Sequence, residues 1–316
     1  MATTAPTARW HTSVVARDLA VVALTTVALV AAGCSTSDNA ADTTTTSTTS
    51  DSSASSTEST ANASGSDCPS ANFDLTVNDY VPEGDLPAPE LAVQCTDGNL
   101  VVTTNDVIGY EFVQMTPNGL EAQDFNFEIP LEPVEAQAPG AMGLGQIGVA
   151  INGVVFFAAF EAPNDGYQDP LLDGLLDFCN GHTAMQGLYH YHARPDCIVG
   201  DPMEPGTVFG YIFDGYELVS PYVCDDDDCA STKALKSSYV KTGDGLGAFE
   251  DWTYEAAAGD LDECNGTTGD DGVYRYYATD DFPYVPFCFH GETSVADGEF
   301  TGEPPADNGP AGGPPA

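Results

Sequence analysis

Residues 176–196 read LDFCNGHTAMQGLYHYHARPD, and residues 261–281 read LDECNGTTGDDGVYRYYATDD. The two stretches align without a gap at an offset of 85 residues, and 11 of their 21 positions are identical. The shared residues include a Cys-Asn-Gly triplet and two tyrosines that alternate with other residues. So many matches within one chain indicate that the same structural unit occurs twice.

A second repeated motif precedes each of these stretches. IGVAINGVVFF occupies residues 147–157, and FGYIFDGYELV occupies residues 209–219. Each motif has an Asn-Gly or Asp-Gly pair between β-branched and aromatic residues, which is the strongest short-range signal for a β-hairpin. The chain therefore reads as hairpin, Cys-Asn-Gly unit, hairpin, Cys-Asn-Gly unit, and the duplicated units span residues 145–197 and 206–291.

This order predicts a mainly β fold, namely an internally duplicated, loop-rich β domain that disulfides staple together. The turn glycine and the triplet cysteine are 26 residues apart in the first unit and 49 in the second, an excess of 23. The excess falls around CDDDDC (224–229), where we expect an inserted loop. Turn residues recur throughout, so the one helix expected is short and lies near Ser231–Tyr239.

The chain contains nine cysteines, one of which belongs to the leader motif described below. The remaining eight are an even number, as is typical of an oxidising compartment. Cys179 and Cys197 bracket the first unit while Cys264 and Cys288 bracket the second, so pairing within each bracket treats both units alike. The complete set of predicted disulfides is Cys179–Cys197, Cys264–Cys288, Cys224–Cys229 and Cys68–Cys95.

Three of the five histidines in the chain lie in the first unit, as His182, His190 and His192. Because side chains of a strand alternate between its faces, the two tyrosines of LYHYHA share one face and the last two histidines share the other. The second unit keeps both tyrosines and lacks all three histidines. This joint loss favours a packing role for the tyrosines and a local role for the histidines.

A His-x-His pair on a strand suits a metal ion. The two Cα atoms are about 6.6–6.8 Å apart, and both imidazoles can converge on an ion roughly 2.0–2.1 Å from each nitrogen. His182 precedes the strand in a glycine-flanked turn and can fold back as a third ligand. Asp214 and His290 are candidates to complete the shell, and the expected metal is zinc or copper. The alternative is that the histidines are exposed polar residues.

The first 33 residues have the features of an export signal, with Arg9 and Arg17 before the apolar run Leu19–Val30. The run ends in Ala-Ala-Gly-Cys, which is similar to a bacterial lipobox and makes Cys34 the predicted lipidation site. We therefore expect an exported lipoprotein whose lipid anchors it to the outer face of the cell membrane. The alternative is an ordinary secretory signal that leaves this cysteine as a free thiol.

The segment after the leader is rich in Ser and Thr and has no aromatic or large aliphatic residue. It cannot bury enough apolar surface to offset the entropy of ordering the chain. The expected organisation is a signal peptide over residues 1–33, a disordered tether over 34–67, a folded domain with an N-terminal β region over 68–292, and a disordered Gly- and Pro-rich tail over 293–316.

The charge of the chain is strongly negative, since 49 acidic residues stand against 7 basic ones and give a net charge of −42 at pH 7. A surface this acidic repels nucleic acid, which excludes that class of partner. The carboxylates of the CDDDDC loop suit calcium. In so acidic a chain, however, such a loop is more typical of plain solvated surface.

Four motifs, taken in order, resemble the YHYH domain family of exported proteins. They are CNGHTAMQGLYHYHARPDC (179–197), GYIFDGYELVSPY (210–222), LDECNG (261–266) and DFPYVPFCFHG (281–291). The resemblance covers roughly residues 95–291 and implies an architecture and a location, but no assigned activity. Two positions depart from the family pattern, because Tyr110 stands where members often have a histidine and YRYY (274–277) stands where they often repeat YHYH.

Two functional classes follow from these observations. In the first, the protein is a surface lipoprotein whose first-unit histidines bind a transition metal, for sequestration or hydrolysis. In the second, it is an extracellular structural or interaction module without metal or catalysis. The sequence identifies no substrate, protein partner or enzymatic reaction.

Overall fold

A computed structural model of the protein describes residues 68–75, 85–226 and 228–293. The predicted signal peptide, Cys34, the tether and all but the first residue of the predicted tail lie outside the described residues. The strands in chain order are β1 (Leu91–Thr96), β2 (Asn99–Thr104), β3 (Phe125–Pro130), β4 (Glu135–Ala141), β5 (Gly148–Ala150), β6 (Val155–Phe156), β7 (Gly181–Thr183), β8 (Tyr189–Tyr191), β9 (Val208–Ile212), β10 (Glu217–Val219), β11 (Tyr222–Cys224), β12 (Thr232–Ala234), β13 (Tyr239–Lys241), β14 (Trp252–Tyr254), β15 (Gly266–Thr268), β16 (Tyr274–Tyr277) and β17 (Cys288–Gly291). The fold is mainly β and rich in loops, as predicted.

Eight strands form one sheet in the order β7-β8-β6-β5-β9-β10-β16-β15. At its centre β5 pairs antiparallel with β9, and Val149 stands opposite Tyr211. On one side of this pair lie β6, which completes the first hairpin, then β8, which runs parallel to β6, and then the antiparallel edge strand β7. On the other side β10, β16 and β15 follow in the same arrangement. We call β5–β8 the first half and β9, β10, β15 and β16 the second half. Both have the same strand order, and their origin by duplication stays a prediction.

Both predicted hairpins are present, and their turn glycines explain where the chain reverses. Gly153 and Gly215 have φ angles of 87° and 94°, in the left-handed region that glycine tolerates without steric cost. In the first hairpin the amide of Ala150 donates to the carbonyl of Val154 at 2.7 Å. The Asn-Gly and Asp-Gly signals therefore set the registers on which the central sheet is built.

Smaller sheets surround the central one in the described residues. The predicted N-terminal β region is an antiparallel sheet of β1, β2 and β3. β4 pairs with β17, and the predicted insertion in the second half forms two hairpins, β11 with β12 and β13 with β14. These hairpins lie between β10 and β15 in the chain, where the 23 additional residues were expected.

Helical structure in the described part of the chain consists of four short 3-10 turns: Pro69–Asn72, Pro163–Asp165, Met185–Gly187 and Asp196–Ile198. No described helix has the length and apolar character needed to cross a membrane. The helix predicted near Ser231–Tyr239 is wrong, because this segment supplies β12 and the start of β13. The disulfide between Cys224 and Cys229 turns the chain back on itself, and cross-strand pairing then outweighs the helix propensity of its Ala and Lys residues.

Four disulfides lie in the described residues, and each joins a pair predicted from the sequence. They are Cys68–Cys95, Cys179–Cys197, Cys224–Cys229 and Cys264–Cys288. Disulfides stabilise a fold mainly by restricting the unfolded chain. They suit a domain in which most strands are short and much of the backbone lies in loops.

Candidate metal centre

The three histidines of the first unit meet at the outer edge of the first half. Because β7 and β8 are antiparallel, His182 stands directly opposite His190. His192 follows β8 by one residue and lies on the same side as His190, since side chains two residues apart on a strand point the same way. His182 was expected in a turn but lies within β7, and the antiparallel pairing of β7 with β8 folds it back onto the His-x-His pair, as predicted.

The ring nitrogens of these side chains converge. Nε2 of His192 lies 2.9 Å from Nε2 of His190 and 3.2 Å from Nε2 of His182. One nitrogen from each ring lies within 4.8 Å of the other two. The three residues are only 1–3% exposed, so the alternative that they are exposed polar residues is wrong.

The other nitrogen of each ring faces a backbone carbonyl. Nδ1 lies near the oxygen of Leu175 in His182, of Leu188 in His190 and of Ala158 in His192. A carbonyl only accepts hydrogen bonds, so these contacts favour the neutral tautomer with its proton on Nδ1, which directs an Nε2 lone pair at the other rings. Lone pairs held this close repel, and a cation between them would turn that repulsion into coordination. Metal-bound histidines typically have such a partner for the second nitrogen.

Burial keeps two of the rings neutral. It lowers the pKa of His190 well below its ordinary value and that of His192 to about 4. The neighbouring imidazoles act in the same direction, because protonated rings at this distance repel each other. Neither ring needs to lose a proton before it binds a metal at neutral pH.

A carboxylate that the sequence did not single out lies beside two of the three histidines, outside the group of mutually close ligand atoms. Oε1 of Glu161 lies 3.0 Å from Nε2 of His182 and 3.7 Å from Nε2 of His192. Burial of this carboxylate would raise its pKa, but the contacts with His182 and His192 lower the pKa of Glu161 below its ordinary value. Glu161 lies 21 positions before His182 in a chain with 49 acidic residues, so no spacing pattern marks it.

An aromatic ring holds the histidines in orientation. Phe157 stacks on His190 with ring centroids 3.9 Å apart and meets the ring of His192 edge-on at 6.0 Å. Phe157 directly follows β6, the strand parallel to β8. The hairpin of the first unit therefore supplies the wall against which the imidazoles pack.

The two tyrosines of the YHYH tetrapeptide face the core, as the alternation predicts. Tyr189 and Tyr191 are both fully buried. The hydroxyl of Tyr110 lies within hydrogen-bonding distance of both of their hydroxyls, at 3.1 and 2.8 Å. Tyr189 also donates to Asp177, and Asn152 donates to Tyr191. Tyr110, which stands where the family often has a histidine, therefore belongs to the tyrosine network.

Asp214 and His290 do not join the three histidines. The group of ligand atoms within 4.8 Å of one another in the described residues contains neither of them. Asp214 is buried, accepts a hydrogen bond from the hydroxyl of Tyr276, and accepts another from the amide of Gly291. The ring of His290 stacks on Tyr274 at 3.6 Å. Asp214 and His290 therefore contact the two tyrosines of the second half that correspond to the tyrosines of the YHYH tetrapeptide.

The second half has an ion pair near the position where the first half has imidazoles. Arg275, which aligns with His190, contacts Glu217 at 3.3 Å and Asp271 at 2.8 Å. The positions that align with His182 and His192 are Thr267 and Tyr277. The strand framework of the two halves is thus shared, while the chemistry at this edge differs.

In the acidic loop (224–229) one carboxylate is held by hydrogen bonds from neighbouring residues. Asp226 accepts hydrogen bonds from the amide of Ala230 and the hydroxyl of Ser231. These bonds account for the lowered pKa of this exposed carboxyl. The described residues of the loop behave as a capped surface turn, and the potential ligand group found in the described chain lies elsewhere.

The fold and the site define a disulfide-stapled, mainly β protein with a buried cluster of three histidines. The family model described as "YHYH protein" matches residues 126–291, more than half of the chain. The protein therefore belongs to the YHYH family, which confirms the resemblance seen in the motifs. The matched region contains the whole central sheet and all three histidines. No curated protein and no solved structure matches the chain.

Proposed function

We propose that this YHYH protein binds one transition-metal ion, zinc or copper, through Nε2 of His182, His190 and His192. The observation that carries the proposal is the convergence of three buried Nε2 atoms whose rings each direct Nδ1 at a carbonyl. Imidazole nitrogen is a preferred ligand of both metals.

The spacing of the nitrogens supports this assignment. Ligands about 2.0–2.1 Å from a tetrahedral ion are roughly 3.3–3.4 Å from one another. The two Nε2 distances to His192 are 2.9 and 3.2 Å. Small rotations of the rings would therefore admit an ion, without any change in the pairing of β7 with β8.

Direct metal titration tests the proposal. The protein, purified without a histidine tag, should bind one equivalent of zinc or copper near neutral pH in high salt with excess magnesium. These conditions suppress weak binding to the many surface carboxylates. The variant His290→Ala removes a histidine outside the cluster and should keep full stoichiometry. Absence of one-to-one binding in the unchanged protein would leave the second class, a structural or interaction module.

We also propose that the protein is an exported lipoprotein, held at the outer face of the cell membrane by lipid on Cys34. The leader motif supports this proposal. Protein isolated from its native host should begin at a diacylated Cys34 and partition into detergent. Mass spectrometry that finds a soluble product with an unmodified Cys34 would contradict it.

A further inference from the structure

We infer that Glu161 is the fourth ligand of the proposed metal ion and closes the site against an additional water ligand, an inference that rests on the proposed function. Its Oε1 atom is buried and lies 3.0 and 3.7 Å from two of the three Nε2 atoms. A buried carboxylate is costly unless a positive charge lies beside it, and neutral imidazoles do not supply one. A cation at the centre of the cluster would remove that cost.

The backbone places Glu161 for this role. It lies in the loop after β6, where its amide donates to the carbonyl of Gln168 at 2.9 Å. Its side chain is 18% exposed, whereas the side chains of His182 and His192 are 3% and 1% exposed. Glu161 is therefore the group of this cluster that reaches solvent. An ion entering or leaving past it would have to displace its carboxylate.

The composition of the shell determines what the site can do. Three imidazoles and one carboxylate complete the four ligands of a tetrahedral ion, and sites with four protein ligands are typically structural. A hydrolytic site keeps one position open for water. The hard carboxylate oxygen also favours a divalent ion over Cu⁺. The shell therefore fits retention of Zn²⁺ or Cu²⁺ and argues against the hydrolysis considered from the sequence.

Glu161→Gln tests this inference, because it keeps the size of the side chain and removes the anionic ligand. We expect zinc affinity, measured by competition with a chromogenic chelator, to fall at least ~10-fold, in line with the loss expected even for groups that only support metal ligands. Removal of zinc by excess chelator should become faster. Glu217→Gln, at a partly exposed carboxylate in the second half, should change neither quantity.

A spectroscopic measurement separates a ligand from a merely structural residue. With Co²⁺ in place of zinc, the unchanged protein should give the intense visible absorption of a four-coordinate ion and should not respond to azide. Glu161→Ala should open one position, so that azide changes its spectrum. Equal zinc affinity and release rate in Glu161→Gln, or an azide response in the unchanged protein, would overturn the inference. Failure of the unchanged protein to bind metal would instead overturn the proposed function.

Discussion

Replacing Tyr191 with alanine should lower the free energy of unfolding by about 3–5 kcal/mol, the usual cost of removing a buried aromatic ring. The ring is fully buried and packs against Phe156 with centroids 5.6 Å apart. Its hydroxyl lies 2.8 Å from that of Tyr110 and accepts a hydrogen bond from Asn152. The alanine variant leaves a cavity, removes the acceptor of the Asn152 amide, and leaves the hydroxyl of Tyr110 with Tyr189 alone. Urea denaturation followed by circular dichroism measures the loss.

Tyr191→Phe is the matched control, because it keeps the ring and removes only the hydroxyl. Its cost should be smaller, about 1–3 kcal/mol, which is the penalty for unsatisfied buried polar partners. This variant should still bind metal, since the tyrosine face is opposite the imidazoles. A loss below about 1 kcal/mol in the alanine variant would show that the tyrosine face does not hold the core together.

Replacing both His190 and His192 with alanine should abolish stoichiometric zinc or copper binding. A ligand that binds only the folded state stabilises it by about 2.7 kcal/mol at a concentration 100 times its dissociation constant. The unchanged protein should gain this stability when metal is added, and the double variant should gain none. Thermal unfolding with and without zinc measures the difference.

A second double variant controls for loss of packing in the alanine variant, because both imidazole rings are buried and Phe157 packs on them. His190→Gln with His192→Gln keeps more of the side-chain volume and should also fail to bind metal. Stoichiometric binding that survives either double substitution would contradict the proposed site.

Acid should release the metal, because only neutral imidazole coordinates. Burial and the neighbouring imidazoles lower the pKa of His190 and His192. Below their ordinary pKa of about 6.5, the unfolded chain therefore binds protons that the folded chain does not. The contribution of these two groups to folding stability is fully present above their ordinary pKa and is lost as the pH falls below it, in the case of His192 towards about 4. The double variants should lose this part of the pH dependence.

The parts of the fold that follow from local signals could be predicted from the sequence. The Asn-Gly and Asp-Gly turns need glycine at Gly153 and Gly215, so the two hairpins were visible in the residues themselves. The pairs Cys179–Cys197 and Cys264–Cys288 followed from the bracketing positions of these cysteines. The opposite faces of the histidines and tyrosines followed from strand alternation.

Other features depend on contacts that are distant in the sequence. Glu161 reaches the histidines only because β6 lies beside β8 in the central sheet, and no local pattern reveals that pairing. Asp214 was a candidate ligand because it occupies a hairpin turn, but the equivalent hairpin of the first half is the one beside the histidines. The predicted helix is wrong because the short loop closed by the Cys224–Cys229 disulfide brings β11 and β12 into antiparallel pairing.

The difference between the halves has a physical explanation within the same framework. Tyr189 and Tyr191, like Tyr274 and Tyr276, are buried, so both halves need these rings for packing. The opposite face differs between the halves: in the second half Arg275 forms ion pairs with neighbouring carboxylates, and Tyr277 is buried in a small apolar cluster. The tyrosines thus belong to the fold, whereas the histidines provide the chemistry proposed for the first half.

X-ray absorption at the metal edge of the zinc- or copper-loaded protein tests the central claim most directly. The account predicts one ion per chain with three imidazole nitrogens about 2.0–2.1 Å away and one carboxylate oxygen at about 2.0–2.2 Å. The imidazole signal should disappear in the double histidine variants. An ion surrounded only by oxygen ligands in the unchanged protein would contradict the assignment of the histidine cluster as a metal site.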